Sequence, residues 1–247
     1  MNYSKTEKIV LMFFCLLAMV CALPHTANAM HIMEGYLPLS YCIVWGVISL
    51  PFLARGFMSI RRTLQKKRSV LILLAMSGAF VFVISSLKIP SVTGSCSHMT
   101  GTGLAAILFG PVAASVLSVI VLIFQAILLA HGGLTTLGAN VFSMGIAGPI
   151  IVWCLYLLGR KLNMNRKLNV FIAAAIGDLF TYLVTSFQLA FAYPSESGGV
   201  MASAVKFLGV FAPTQVPLAI VEGLLTVLVI MGMESYAKPE LKELSFI

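Results

Sequence analysis

The sequence predicts an all-α integral membrane protein that crosses the bilayer about seven times. Three observations carry that expectation. Hydrophobic residues make up 60% of the 247 residues and charged residues 10%. Mean hydropathy is +1.01, beyond what a soluble domain of this length needs for its core. The basic residues behind the net charge of +8 gather in short gaps between apolar runs. They do not line an aromatic-studded groove, so the charge sets topology and no nucleic-acid partner is expected.

The first segment reads as a cleaved signal peptide, residues 1–29. Lys5 and Lys8 give a positive start, and Ile9 to Leu23 is an apolar run shorter than the roughly 20 residues a spanning helix needs. Pro24 ends the run before the small-x-small site Ala27-Asn28-Ala29. An uncleaved anchor is the alternative; a lipoprotein cut at Cys21 is disfavoured by Val20 in front of it. Residues 30–247 then form a single membrane domain, with no linker, repeat or soluble module.

Leu37 to Phe57 is the first span. The loop after it carries Arg61, Arg62, Lys66, Lys67 and Arg68, which the positive-inside rule assigns to the cytoplasm. Val70 to Leu87 runs outward into a polar loop from Pro90 to Gly103. Leu104 to Ala130 must cross an even number of times, because Asn140 to Leu158 has to run inward to Arg160, Lys161, Arg166 and Lys167. Gly110-Pro111 supplies the break, since proline is tolerated best at a helix start. The arm before it, Leu104 to Gly110, is too short to span, so it is shortened, tilted or re-entrant and packed inside protein. Phe171 to Ala192 runs outward and Phe207 to Met233 inward, with Lys238 and Lys242 beyond. The N-terminus is outside and the C-terminus cytoplasmic.

Motifs for several function classes are missing. The chain has no G-x-x-x-x-G-K-S/T phosphate loop, so any ATP-driven transport draws on another subunit. It has no H-E-x-x-H or G-x-S-x-G signature of an intramembrane enzyme. An ion-gradient secondary transporter needs a continuous polar path, and Asp178, Gln188 and Glu222 are few for one. Cys42 and Cys154 lie inside apolar runs and Cys96 in the polar loop, with no paired spacing for a disulfide or metal knuckle.

The cut after Ala29 has chemical content. It makes His31 the second mature residue, so the Met30 amine, the His31 amide and a His31 ring nitrogen can close two adjacent chelate rings on one metal ion. Topology puts His98 on the same side, and its ring completes four nitrogens. Tetragonal nitrogen coordination suits Ni(II) or Cu(II), and Co(II) fits the same frame. The competing reading of His98 is a loop histidine exposed to water or bonded to a neighbouring hydroxyl. His131, before Gly132-Gly133, reads as a helix-end group or one that orients the ligands. Glu34, Ser95, Ser97 and Asn140 are further candidates for that orienting role.

Four stretches, in order, resemble the cobalt/nickel substrate-binding membrane component of energy-coupling-factor transporters, the CbiM/NikM family. They are Met30-His31-Ile32-Met33-Glu34-Gly35-Tyr36-Leu37-Pro38, Gly94-Ser95-Cys96-Ser97-His98, Gly101-Thr102-Gly103 with the Leu108-Phe109-Gly110-Pro111 break, and His131-Gly132-Gly133-Leu134-Thr135-Thr136-Leu137-Gly138-Ala139-Asn140. The resemblance runs from Met30 to about Glu234 and implies a metal bound by Met30, His31 and His98. It implies no permanently bound cofactor, Co(II) or Ni(II) being the transported substrate, with cobalt favoured by the Met33-Glu34-Gly35-Tyr36 start. It also implies a multi-pass place in the bacterial cytoplasmic membrane, and uptake that feeds cobalamin synthesis. The partners it implies are a transmembrane coupling subunit, two ATPase subunits and a small accessory membrane protein. The family usually has proline after the loop histidine; Met99 stands there, which puts the loop's rigidity in question.

Asp178 and Glu222 stand inside apolar spans, where a charge costs at least about 2.5 kcal/mol. They should face protein or water, as coupling contacts or, preferably, as packing groups away from the external pocket.

Overall fold

The computed structural model describes residues 28–29, 31–66, 69–87, 89–90 and 95–244. Met30, the signal segment up to residue 27, Lys67 and Arg68 lie outside them, as do the side chains of Ser95 and Cys96. The chain is nearly all helical. In order it forms β1 (Asn28–Ala29), α1 (Leu39–Lys66), α2 (Val70–Ser86), β2 (Ile89–Pro90), β3 (Ser95–Ser97), α3 (Thr102–Phe109), α4 (Pro111–Leu129) and α5 (Leu137–Asn140). A π-helical turn (Val141–Ala147) leads into α6 (Gly148–Lys161), followed by α7 (Arg166–Ala192), α8 (Gly199–Tyr236) and α9 (Lys238–Glu243).

Five stretches of the described residues are long and apolar enough to cross a membrane: Leu39–Gln65, Pro111–Leu129, Leu137–Lys161, Arg166–Ala192 and Gly199–Tyr236. Helix α2 is apolar throughout but spans about 25 Å at 1.5 Å per residue. Large apolar side chains such as Ile43, Val47, Leu50, Phe57, Ile127 and Leu228 are exposed, as lipid-facing positions must be in a multi-pass membrane protein.

The expected break at Gly110-Pro111 is present. Gly110 takes φ +83, a left-handed conformation open to glycine, and Pro111 starts α4 at the position where its missing N–H costs nothing. Helix α3 before the break is about 12 Å long. Every residue from Thr102 to Leu108 is buried, packed among α4, α6 and α7. A helix this short cannot satisfy both its ends in lipid, so it survives only inside protein.

One boundary differs from the sequence reading. Arg61 and Arg62 lie in the last turns of α1, which runs on to Lys66; arginine is a good helix former and can extend its charge past the apolar zone. Close helix contact elsewhere depends on missing side chains. A Cβ on Gly177 would lie 2.1 Å from Val152 Cγ2, and one on Gly148 2.2 Å from Thr181 Oγ1, so α6 and α7 meet backbone to backbone.

The bundle has two chemically distinct ends. One gathers Arg160 and Lys161 at the close of α6 and Arg166, which pairs with Glu234 at 3.0 Å. There α9 folds back with Leu241 buried and Glu243 bonded to Ser69. The other end gathers the 31–38 segment, the 95–101 loop and the 130–136 turn. A three-stranded sheet of two- and three-residue strands, order β1-β3-β2, lies there. β1 runs parallel to β3 with Asn28 beside Ser95 and Ala29 beside Cys96.

Candidate metal centre

Three histidines meet at the end opposite the basic cluster. One ring nitrogen from each of His31, His98 and His131 lies within 4.8 Å of the others. The rings are 3%, 0% and 1% exposed. His31 and His98 are nearly parallel, with centroids 4.2 Å apart and planes at 26°. His131 meets both edge-on, at 4.6 Å and 80° to His31 and 4.8 Å and 67° to His98. The alternative of a water-exposed His98 is therefore overturned. His131, expected as a helix-end or orienting group, lies in the same cluster.

The backbone after His31 is held from both sides by one residue. Asn140 Oδ1 accepts from the Ile32 N–H at 2.8 Å, and Asn140 Nδ2 donates to the Ile32 carbonyl at 3.0 Å. Thr136 Oγ1 adds a third bond to that carbonyl at 2.6 Å. Ile32 and Leu37 pack against Ala139, Tyr182 and Leu189. Further out, Glu34 accepts from the Thr135 N–H at 3.1 Å. Hydrogen bonds from Thr135 hold the Glu34 carboxyl below its ordinary range despite its exposure. Glu34 thus straps the segment down and is remote from the rings.

Acceptor-only neighbours assign the ring protons. His31 Nε2 lies 3.2 Å from the Met144 thioether sulfur, which can accept but not donate, so the proton of that contact is on Nε2 and Nδ1 carries the lone pair. Nδ1 is also the nitrogen that can close a ring with the residue's own amide. His98 Nδ1 lies 2.9 Å from the Met99 carbonyl, which likewise fixes the proton on Nδ1 and puts the ring's lone pair on Nε2. Met99 replaces the family's proline at no cost to this contact, because the bond uses a backbone carbonyl that either residue has.

The 97–101 loop is fastened to α8 almost residue by residue. Ser97 Oγ meets Thr214 Oγ1 at 2.6 Å. Gln215 Nε2 donates to the His98 carbonyl at 3.2 Å and to Asp178 Oδ2 at 2.6 Å. Glu222 accepts from the Thr100 N–H at 2.6 Å, the Thr100 hydroxyl at 2.8 Å and the Gly101 N–H at 3.0 Å. This corrects the expectation that Asp178 and Glu222 lie away from the external pocket: both sit directly behind the His98 loop. The error came from treating depth along a helix as distance, when the loop dips inward to meet them. Ser97 belongs to this fastening and does not orient a ring, and Gln215 was missed, its only signal being an amide inside an apolar span.

Met144 was missed as well. It sits in the π-helical turn directly after Asn140, and a wider turn of this kind is common at functional sites. There it brings Asn140 and Met144, four residues apart, onto the 31–32 segment together.

Comparison with known proteins shows the family. Residues 31–241 match the family model CbiM, described as the cobalt uptake substrate-specific transmembrane region. The chain is 62% identical over 244 residues, 99% of its length and 98% of the relative's, to the cobalt transport protein CbiM of Lachnoclostridium phytofermentans. It is 59% identical to that of Clostridioides difficile, over 90% of this chain and 89% of the other. A crystal structure of a transition metal transporter superposes with TM-score 0.72 at 28% identity, covering 83% of this chain and 92% of that one. A truncated transition metal transporter gives 0.71 at 27%, covering 83% and 99%. With a family model over most of its length and full-length relatives well above half identical, the chain belongs to the CbiM family of substrate-specific transmembrane components for cobalt uptake.

Proposed function

We propose that the chain is cut after Ala29 and captures Co(II) from outside through the Met30 amine, the His31 amide and Nδ1, and His98 Nε2. The observation that carries this reading is the buried convergence of His31 and His98, with Met144 placed to fix the proton of one ring and the Met99 carbonyl that of the other. The basic end of the bundle is then cytoplasmic by the positive-inside rule, and the histidine end outside. In this reading the chain is the substrate-binding component of an ATP-driven energy-coupling-factor importer that supplies cobalamin synthesis. A transmembrane coupling subunit, two ATPase subunits and a small accessory membrane protein complete the complex. The CbiM relatives and the missing phosphate loop support that division of labour.

N-terminal sequencing of the mature protein should return Met30-His31. A variant acetylated at the Met30 amine should lose Co(II) binding, because the acylated nitrogen no longer offers the basic lone pair that anchors the chelate. Unchanged binding by that variant would overturn the proposal. Ni(II) uptake through the same frame is the second reading. It is favoured by one piece of chemistry: a four-nitrogen plane binds Ni(II) more tightly than Co(II) in the general order of divalent affinities.

A further inference from the structure

That affinity order poses a problem for a cobalt carrier, and the third histidine answers it. On the reading above, the amine, the amide, His31 Nδ1 and His98 Nε2 fill four positions in a plane. An imidazole that joins them has to come from above or below. His131 is set at large angles to both other rings, 80° and 67°, while those two differ by only 26°. Its nitrogen lies within 4.8 Å of theirs. Adjacent nitrogens on one metal at about 2.0–2.1 Å stand roughly 3 Å apart, so the cluster closes on an ion by side-chain movement alone.

The backbone around His131 is built for this placement. It follows Ala130 at φ +45 and precedes Gly132 at φ +76, and its N–H is bonded to the Gln125 carbonyl at 3.1 Å. A left-handed alanine is uncommon and is held against a steric cost. A Cβ on Gly132 would meet Asn140 Nδ2 at 3.2 Å and His31 Cβ at 3.6 Å, so the turn sits directly against the first histidine.

We propose that His131 is a fifth, apical nitrogen ligand and that it is the residue that favours Co(II) over Ni(II). In a strong planar nitrogen field low-spin Ni(II) has a filled orbital pointing along the apical direction and repels a fifth donor. Low-spin Co(II) has one electron there and accepts it. The apical imidazole therefore adds affinity for one ion and not the other, which is selectivity by geometry against the general order.

The test uses the purified mature protein loaded with Co(II) alone or Ni(II) alone. In electron paramagnetic resonance the unpaired electron of Co(II) points at the apical ligand, so wild type should show three-line nitrogen splitting, and His131→Leu should not. The same variant should weaken Co(II) binding about tenfold or more and leave Ni(II) binding within about twofold. A wild-type spectrum without the splitting, splitting that persists in His131→Leu, or equal losses for both ions overturns the apical assignment. The wild-type spectrum decides this even where the variant does not fold. Failure of wild type to bind either ion, or unchanged binding after acetylation of the Met30 amine, counts instead against the underlying chelate.

Discussion

His31 and His98 stack at 4.2 Å with their planes 26° apart, and each is held there by a side chain on a different helix. Asn140 grips the backbone of Ile32 next to His31 through both its amide atoms, and Gln215 donates to the His98 carbonyl. Histidines distant in sequence are thus brought together by two amide side chains. Replacing His98 with alanine should cost Co(II) affinity about a hundredfold or more, above the 10–100-fold typical of groups behind the ligands. Equilibrium dialysis reads it, and a loss under tenfold would remove His98 from the ligand set.

Met144 should act on affinity through the His31 ring and hardly at all on folding. Met144→Leu keeps the volume, and such swaps cost under about 1.5 kcal/mol. It removes the acceptor that commits Nε2, so Co(II) binding should fall about tenfold. Met144→Gln, which restores an acceptor oxygen, should recover part of it. Equal binding by wild type and both variants would mean that the sulfur only fills space.

Glu222 should matter first for stability. Its carboxylate satisfies two N–H groups and a hydroxyl in a fully buried site, and each buried group left unpaired costs about 1–3 kcal/mol. Glu222→Leu should lower the thermal midpoint by several degrees and abolish metal binding with it. Gln215→Leu, which frees only the His98 carbonyl and Asp178, should reduce metal affinity with a smaller shift in midpoint. Thermal melts with and without Co(II) separate the two effects.

How far the sequence could reach is visible in these same residues. His31 stood out in the sequence because the small-x-small stretch Ala27-Asn28-Ala29 comes directly before it, and His98 because the positive-inside rule sends its loop to the side expected for His31. The Gly110-Pro111 break was legible because the topology needed an extra turn and proline is tolerated best at a helix start. Gln215, Asp178 and Glu222 were not placed, because hydropathy reports a span without its rotation about its own axis or the dip of a neighbouring loop. His131 reaches the cluster through a left-handed turn at Ala130, and alanine gives no signal for that conformation.

Glu34 yields an acid-side prediction with a definite sign. Its carboxyl is held below the ordinary range by Thr135. The strap to the Thr135 amide is therefore fully made above the unfolded value near 4.3, and is lost as pH falls through the lower folded value. Protection of the Thr135 amide against hydrogen exchange, taken relative to its intrinsic rate at each pH, should hold at neutral pH and be lost only in that acid window. Glu34→Gln should exchange faster at neutral pH and show no such window.

Metal binding should weaken at a much higher pH, which separates chelation from the strap. The Met30 amine binds only unprotonated, and an α-amine has an ordinary value of about 7.7–8.0. The His31 amide binds only after losing its proton, at any pH. Binding below that range therefore releases both protons, and the logarithm of the affinity should rise by about two per pH unit. Above it the amine is already free, and the slope should fall toward one. An acetylated N-terminus removes the amine and should collapse both affinity and the break in slope. Titrating Co(II) affinity from about pH 6 to 9, around the α-amine value, checks this. A slope of one throughout would show that the amine is not a ligand, and a slope of zero would show that the amide is not one either.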